Sequence, residues 1–303
     1  MDINKDNVCI LIPTLNEEPT IRSLISEFQE LGFSDILVVD GNSSDNTRHE
    51  AEIAGARVIT QIGKGKGTAV IQAFSIIEKP YLLMVDGDGT YSPEDAPRML
   101  QPLFEESDQV IGNRLIHENT SAISRLNRTG NYILNNLFKM GHGAYYYDIL
   151  SGYRAFTRDS IRKMNLSETG FGIETELISE AVRIGAVVTV VPVFYGRRPG
   201  TKTKLRPFKD GFRIARTIYR LARMNNPLFY FGFVGVILMV IGVLSGLFVI
   251  IDWFNNIDHL PLTILAVTFV MFGFQIFMFG VLADMIVSFH RETIQEIQKN
   301  KRG

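Results

Sequence analysis

Two aspartates, Asp86 and Asp88, stand one residue apart at the end of the short apolar run 81–85. An apolar run of this length, bounded by polar residues, predicts a buried strand. If the chain stays extended past this run, both carboxylates point the same way, because side chains alternate along a strand. They would then converge where open α/β sheets bind ligands. Such paired oxygens suit Mg²⁺ or Mn²⁺ carrying phosphates, although Asp-Gly pairs also form ordinary turns.

The elements around this pair follow a strand–helix alternation. Four such alternations in under a hundred residues predict a mainly parallel α/β sheet with right-handed crossovers. The same pattern continues beyond the aspartates. Predicted strands cover residues 8–12, 36–39, 58–60, 81–85, 109–112 and 187–193, and predicted helices include 68–77, 123–140 and 171–183.

Length, net charge and cysteine count exclude few fold classes or functions. A chain of 303 residues has room for one large domain or two medium ones. The net charge of −1 says nothing about partners, and no nucleic-acid partner is expected. The single cysteine, Cys9, excludes an internal disulfide and is predicted to be a small core residue. The polar, charged start of the chain predicts no signal peptide.

Residues 63–67, Gly-Lys-Gly-Lys-Gly, form a basic loop ahead of a predicted helix. Backbone N–H groups and two lysines in such a loop could cradle phosphate. It is not a Walker A motif, because the spacing is wrong and no Lys-Ser/Thr pair opens the helix. A flexible, solvated loop is the other interpretation.

Residues 206–225 have a helical pattern with a basic stripe beside a broad apolar side. This combination predicts a helix lying in a membrane interface, and the alternative is an ordinary surface helix packed on the sheet. Lys209, Arg213, Arg216, Arg220 and Arg223 form the stripe, at spacings of 4, 3, 4 and 3 residues.

Two apolar segments, 228–251 and 262–287, each exceed the roughly 20 residues that span a bilayer core. Residues 225–290 contain no Lys or Arg, whereas basic residues flank this stretch on both sides. The positive-inside rule therefore predicts a hairpin with both ends in the cytosol. We expect a multi-pass protein of the cell (plasma) membrane. Its predicted parts are a cytosolic α/β domain (1–205), an interfacial helix (206–225), a transmembrane hairpin (226–290) and a cytosolic basic tail (291–303).

Three segments, 12–17, 38–47 and 86–88, resemble the nucleotide-sugar motifs of family 2 glycosyltransferases with a GT-A fold. Asn113-Arg114, Ser151-Gly152-Tyr153-Arg154 and residues 200–205 narrow the resemblance. They are similar to segments of dolichol-phosphate mannose synthase and its polyprenyl-phosphate glycosyltransferase relatives, including archaeal enzymes that start N-glycosylation. The resemblance covers roughly residues 8–205, and the hairpin is typical of the membrane-anchored branch.

The resemblance implies a reaction and its site. A hexose of the mannose or glucose type would pass, with inversion, from a GDP- or UDP-sugar to dolichyl or polyprenyl phosphate, with Mg²⁺ or Mn²⁺ as cofactor. Asp88 would be the main metal ligand, joined by Asp86, and Asp88 and Arg114 would be the catalytic residues. Arg114 and Arg128 would contact the acceptor phosphate. The residues implied to bind the nucleotide sugar are Pro13, Leu15, Glu17, Val38, Asp40, Asp86, Gly87, Arg197, Arg198 and Lys204.

The chain departs from the mannose synthase pattern in two places. That enzyme has glutamine where this chain has Thr90, and it has one residue fewer between the late glycine and lysine. The sugar and the choice between Arg197 and Arg198 therefore stay open. Glu174 and Glu176 either orient a substrate or serve as acidic residues at a helix N-terminus.

Other functions fit parts of this pattern. Processive polysaccharide synthases usually carry Gln-x-x-Arg-Trp before their membrane helices, whereas the single tryptophan, Trp253, lies between the two apolar segments. A non-catalytic membrane scaffold would not need Asp86, Asp88 and Arg114. A soluble nucleotidyltransferase is excluded if the hairpin inserts. A homo-oligomer is compatible with the sequence.

Overall fold

The computed structural model describes residues 4–116, 123–199 and 207–302. The chain forms two compact units. One comprises residues 1–139 and 144–218, and the other comprises residues 140–143 and 219–303. The first unit contains the sheet and the second contains the long apolar helices.

Seven strands form a single sheet in the order β3-β2-β1-β4-β6-β5-β7. All neighbouring pairs are parallel except those of β6, which runs antiparallel to both β4 and β5. The mainly parallel α/β sheet predicted from the sequence is therefore confirmed, with one reversed strand. The strands are β1 (Val8–Thr14), β2 (Asp35–Asp40), β3 (Arg57–Thr60), β4 (Tyr81–Met84), β5 (Gln109–Asn113), β6 (Arg154–Thr157) and β7 (Val188–Pro192).

Helices connect the strands and cover both faces of the sheet. Those of the first unit are α1 (Glu18–Glu30), α2 (Thr47–Ile53), α3 (Lys66–Ile76), α4 (Ala96–Phe104), α6 (Arg158–Lys163) and α7 (Ile173–Arg183). Two more helices, α5 (Arg125–His142) and α8 (Pro207–Asn225), begin in the first unit and end in the second. The second unit also contains α9 (Pro227–Phe254) and α10 (Leu260–Arg302).

Strand β1 shows why the central strands read as continuous apolar runs. Its alternate residues Val8, Ile10 and Ile12 pack with α1 and α4 on one face of the sheet. Cys9 and Leu11 pack with α3 and α7 on the other face. Because both faces are covered, every residue of this strand is buried. The two core layers hold the carboxyl ends of β1, β2 and β4 in fixed register.

Cys9 is fully buried, as the sequence predicts, and burial raises the pKa of its thiol to about 12. Since the thiolate is the reactive form, we expect thiol reagents at pH 8 to label the native protein at least about a thousandfold more slowly than the unfolded chain. Absorbance-monitored labelling with and without denaturant measures this ratio. Equal rates would contradict the placement of Cys9 in the core.

Helix α8 turns its apolar side towards the protein. Ile214 and Ile218 are buried in a cluster with residues of α5 and α7, including Phe138 and Ile178. The basic stripe lies on the exposed side of the helix, where Phe212 is 76% exposed. The broad apolar side that suggested insertion into an interface is thus used, in the first unit, for packing on the α/β domain.

The second unit contains two helices that are long and apolar enough to cross a membrane, at Pro227–Phe254 and Leu260–Phe289. They pack through small residues spaced seven apart: Gly235 lies against Gly273, and Gly242 lies against Ala266. A Cβ atom added to Gly235 would lie 2.6 Å from the Gly273 carbonyl oxygen. The backbones are therefore in direct contact. Helix α10 continues to Arg302, so most of the predicted tail is helical.

Candidate functional site

The Asp86-Gly87-Asp88 segment forms a turn and not an extended strand. Strand β4 ends at Met84, and residues 87–89 form a turn and a bend. Of the two geometries considered from the sequence, the Asp-Gly turn is the one found. The turn is fixed from outside, because the Thr20 hydroxyl donates to the Gly87 carbonyl at 2.6 Å. Thr90, at the position of the family's glutamine, donates its hydroxyl to Asp88 Oδ1 at 2.6 Å.

The carboxylates of Asp86 and Asp88 repel each other within this turn. Burial raises the pKa of the Asp88 carboxyl above its ordinary value, and the neighbouring Asp86 charge raises it further. A pair of carboxylates held this close favours a cation between or beside them. Two cationic side chains, one on each aspartate, supply part of that charge.

The first cation is Lys66, the first residue of α3. Its ammonium group pairs with Asp86 and lies 2.5 Å from Glu174 Oε1. Burial would lower the pKa of Lys66, but the two carboxylates outweigh burial and hold the pKa above its ordinary value. Lys66 therefore stays charged and joins the Asp86 turn to α7.

The loop 63–67 is exposed at residues 63–65 and buried at Gly67. A Cβ atom on Gly67 would overlap the carbonyl oxygen of Glu168, so the loop is packed tightly against that backbone. Glu176 secures the same segment by accepting hydrogen bonds from the backbone N–H groups of Ser167 and Glu168, at 2.9 and 2.8 Å. This packing places the Lys66 ammonium group against the carboxylates of Asp86 and Glu174.

The second cation is Arg198. One guanidinium nitrogen lies 2.6 Å from Glu17 Oε2, and another lies 3.6 Å from Asp88 Oδ2. Of the two neighbouring arginines, Arg198 contacts this cluster, whereas Arg197 is exposed. Lys204 lies outside the described residues.

The formal charges of this cluster bear on metal binding. Among the described side chains, four carboxylates (Glu17, Asp86, Asp88, Glu174) face two cations (Lys66, Arg198). Within the described ranges, no group of three or more His, Cys, Asp or Glu side chains is arranged to hold a metal. A protein site with one or two carboxylates, completed by substrate phosphates and water, is the usual arrangement for Mg²⁺. Asp86 and Asp88 fit that arrangement.

A second part of the site lies where β1 and β2 end side by side, at Thr14 and Asp40. Asp40 is 3% exposed and accepts hydrogen bonds from the hydroxyl and backbone N–H of Ser43 at 2.5 and 3.1 Å. The Ser43 hydroxyl in turn accepts from the Asn16 N–H at 2.9 Å. These bonds join the loop after β1, at Asn16, to the loop after β2, at Ser43. The two loops together form one polar rim.

The residues implied to bind the nucleotide occupy different positions around this rim. Leu15 is 43% exposed and Glu17 is held by Arg198, whereas Pro13 is buried at the end of β1. Val38 lies on β2, between β1 and β3, and its side chain is fully buried in the core. Its place at the nucleotide stays a prediction.

Arg114 follows β5 and is held by Asp148. Its Nε and Nη2 donate to the two carboxylate oxygens of Asp148 at 2.7 and 2.8 Å. The guanidinium carbon lies 5.2 Å from the centre of the Tyr195 ring. Arg128, the other residue implied to contact the acceptor, is exposed on α5, one turn before Asn131. Asn131 also donates to Asp148, at 2.9 Å.

The Ser151-Gly152-Tyr153-Arg154 motif has a supporting role. A Cβ atom on Gly152 would overlap the Asp86 carboxylate, so only glycine lets this backbone lie beside the aspartate. Arg154 is fully buried and donates to the carbonyls of Ser151 and Ile149 at 2.9 and 2.7 Å. Burial lowers its pKa to about 10, so it remains charged at neutral pH. The reversed direction of β6 brings this motif to the edge of the sheet where β4 ends.

Sequence reasoning missed the partners of these charges. It placed Lys66 in a loop that either binds phosphate or is solvated, left Glu174 with two possible roles, and gave Asp148 no role. One signal was available: acidic residues inside otherwise apolar segments are rarely buried unless they are paired. Glu174 and Asp148, at 5% and 0% exposure, follow that rule.

Comparison with known proteins places this geometry in a family. The profile described as Glycosyl transferase family 2 matches residues 9–163. Glycosyltransferase AglJ of Haloferax volcanii is 48% identical over 97% of this chain and 98% of its own length. The dolichyl-phosphate hexose transferase of the same organism is 33% identical over 71% of this chain and 94% of its own length.

Among solved structures, the fold is similar to that of glucosyl-3-phosphoglycerate synthase from Mycobacterium tuberculosis, in complex with Mn²⁺, UDP-glucose and phosphoglyceric acid. The TM-score is 0.57 at 22% identity, over 71% of this chain and 79% of that one. This likeness establishes the GT-A type of fold. Together with the matched profile and the aspartate pair at the end of β4, it leads to one conclusion: the chain belongs to glycosyl transferase family 2 and is a glycosyltransferase.

Proposed function

We propose that this enzyme transfers a hexose, with inversion, from a nucleotide-diphosphate sugar to a dolichyl or polyprenyl phosphate. The observation that carries the proposal is the acidic cluster around Asp86 and Asp88, together with Arg114, which Asp148 holds at the end of β5. The cluster fits a metal-bound diphosphate, and the arginine fits a second phosphate. The name of the dolichyl-phosphate hexose transferase, a relative over 71% of the chain, supports the choice of acceptor.

On the donor side, Asp88 and Asp86 would hold a divalent cation, Mg²⁺ or Mn²⁺. Such an ion offsets the negative charge that develops on the leaving diphosphate. Arg198 would exchange its present partners, Glu17 and Asp88, for diphosphate oxygens, because guanidinium binds phosphate bidentately. The nucleoside would bind at the exposed Leu15 and at the polar rim formed by the loops of Asn16 and Asp40.

On the acceptor side, a phosphate monoester has a second pKa of about 6 and is therefore already an anion at neutral pH. Its oxygen attacks the anomeric carbon, and the bond from that carbon to the diphosphate breaks, with the electron pair leaving on the nucleoside diphosphate. A protein base is not needed for this step. Arg114 and Arg128 would overcome the repulsion between the two anions.

The two apolar helices would anchor the enzyme, since the lipid tail of the acceptor stays in the bilayer while the donor is soluble. We infer a multi-pass protein of the plasma membrane with its α/β unit in the cytosol. Helix α8 would face anionic headgroups with its exposed side, where the basic stripe and Phe212 lie. Each basic residue near such a surface contributes about 1 kcal/mol of attraction.

The test is a transfer assay. Membranes containing the protein are incubated with a panel of radiolabelled UDP- and GDP-sugars and dolichyl phosphate, and label is measured in the chloroform phase. We expect label from one donor, dependent on Mg²⁺ or Mn²⁺ and abolished by EDTA. Absence of lipid-soluble label from every donor, in membranes that still bind nucleoside diphosphate, would refute the proposed acceptor.

A further inference from the structure

Asp148 is a buried carboxylate whose side chain accepts hydrogen bonds from Arg114 and Asn131. It is 0% exposed and accepts from Arg114 Nε at 2.7 Å, Nη2 at 2.8 Å and the backbone N–H at 3.2 Å. A guanidinium group has two forked edges. Asp148 takes the Nε–Nη2 edge, so the Nη1–Nη2 edge points away from it. Asp148 thereby fixes which edge of Arg114 is presented, while the Tyr195 ring lies against the guanidinium group.

The same carboxylate is tied to helix α5. Asn131 donates to Asp148 Oδ1 at 2.9 Å and accepts from the Asn135 amide at 2.7 Å. Asn135 also donates to the Tyr147 carbonyl at 2.7 Å and accepts from the Ile149 N–H at 3.1 Å. These two amides therefore bind α5 to the segment on both sides of Asp148. Arg128 lies on α5, three residues before Asn131.

We propose that Asp148, together with Asn131, is a positioning residue. It holds Arg114 and the turn of α5 that contains Arg128, and these two parts would together bind one phosphate monoester. The proposal rests on the proposed function for the identity of the acceptor, and it adds what sets the geometry of that site. Asp148 does not touch the substrate and acts through Arg114.

The electrostatics agree with this role. Burial alone would raise the pKa of Asp148, but the Arg114 charge and the hydrogen bonds hold it below its ordinary value. Asp148 is therefore a carboxylate at neutral pH and keeps Arg114 in one rotamer before the substrate arrives. An arginine ordered in advance loses less conformational entropy when it binds phosphate.

The test uses the full-length Asp148→Asn variant, with farnesyl phosphate as the acceptor probe. We expect its acceptor KM to rise at least about tenfold, because misplacing a reacting group by about 1 Å can cost a hundredfold. The donor KM should stay within about twofold of wild type, because the donor cluster is untouched. Calorimetric binding of farnesyl phosphate without donor should weaken in parallel. Asn131→Ala, which keeps the Arg114–Asp148 pair, should give a smaller rise in acceptor KM.

Glu180→Gln is the matched control, since Glu180 is another buried carboxylate paired with an arginine, Arg183 at 2.7 Å, on helix α7. Its acceptor KM should not change. Equal rises in donor and acceptor KM for Asp148→Asn would overturn the proposal in favour of a purely structural pair. If that variant fails to fold, an unchanged acceptor KM in Asn131→Ala overturns it instead. If wild type transfers no hexose but binds farnesyl phosphate, the proposed reaction fails while the binding comparison still decides the role of Asp148.

Discussion

Replacing Asp88 by asparagine is expected to lower kcat at least about a thousandfold, since metal-assisted charge stabilisation contributes several kcal/mol. Asparagine keeps the oxygen that accepts from Thr90 but loses the charge, so the turn should persist. The cluster would lose one negative charge, and a divalent cation would be held less tightly. The measurement is the transfer rate, together with Mn²⁺ binding in the presence of nucleoside diphosphate.

Asp108→Asn provides the matched control. It removes the same charge from a partly buried aspartate just before β5, where Asp108 accepts from the Val187 N–H at 2.9 Å. Its activity should stay within about twofold of wild type, as for surface substitutions far from a site. If the Asp88 variant keeps more than about a tenth of the wild-type rate, the assignment of Asp88 as main metal ligand is wrong.

The second large effect concerns Lys66. In Lys66→Met, Glu174 loses its ion-pair partner at 7% side-chain exposure, and Asp86 loses the same partner. Breaking a buried ion pair in this way costs about 3 kcal/mol. For a unit of this size, the loss corresponds to a fall in Tm of about 6–12 °C. Circular dichroism during heating in detergent measures it.

A second substitution separates lost charge from lost packing. Adding Glu174→Gln to Lys66→Met removes the unpaired carboxylate, and we expect the double variant to recover at least half of the loss in Tm. Lys64→Met is the matched control, because Lys64 is an exposed lysine in the same loop. Should Lys66→Met unfold at the same temperature as Lys64→Met, the ion pair makes no net contribution.

The sheet could be predicted because its signals are local. Runs such as 8–12 and 36–39 are apolar on both faces, and β1 and β2 contain them. The direction of β6 could not be predicted, because strand direction depends on pairing between residues far apart in sequence. Its start, Arg154, pairs with Met84. The aspartate pair was found from its spacing, but the turn that holds it depends on Thr20.

The same limit applies to the site. A sequence pattern identifies residues that carry charge, but the fold decides which charges meet. Lys66 pairs with Asp86 from a loop whose Gly67 packs on Glu168. Arg198, which is more than a hundred residues away in sequence, contacts Asp88. The pattern of α8 predicted a helix in a membrane interface, with packing on the sheet domain as the alternative, and its residues Ile214 and Ile218 pack on α5 and α7.

The backbone contact between α9 and α10 has a consequence for the acceptor's tail. A methyl group added at Gly242 would come within 2.7 Å of the Ala266 carbonyl oxygen, and Gly273 is equally close to Met239. No isoprene unit fits between the helices at these positions. Under the proposed function, the prenyl chain of the acceptor would therefore have to lie elsewhere than between α9 and α10 at these positions.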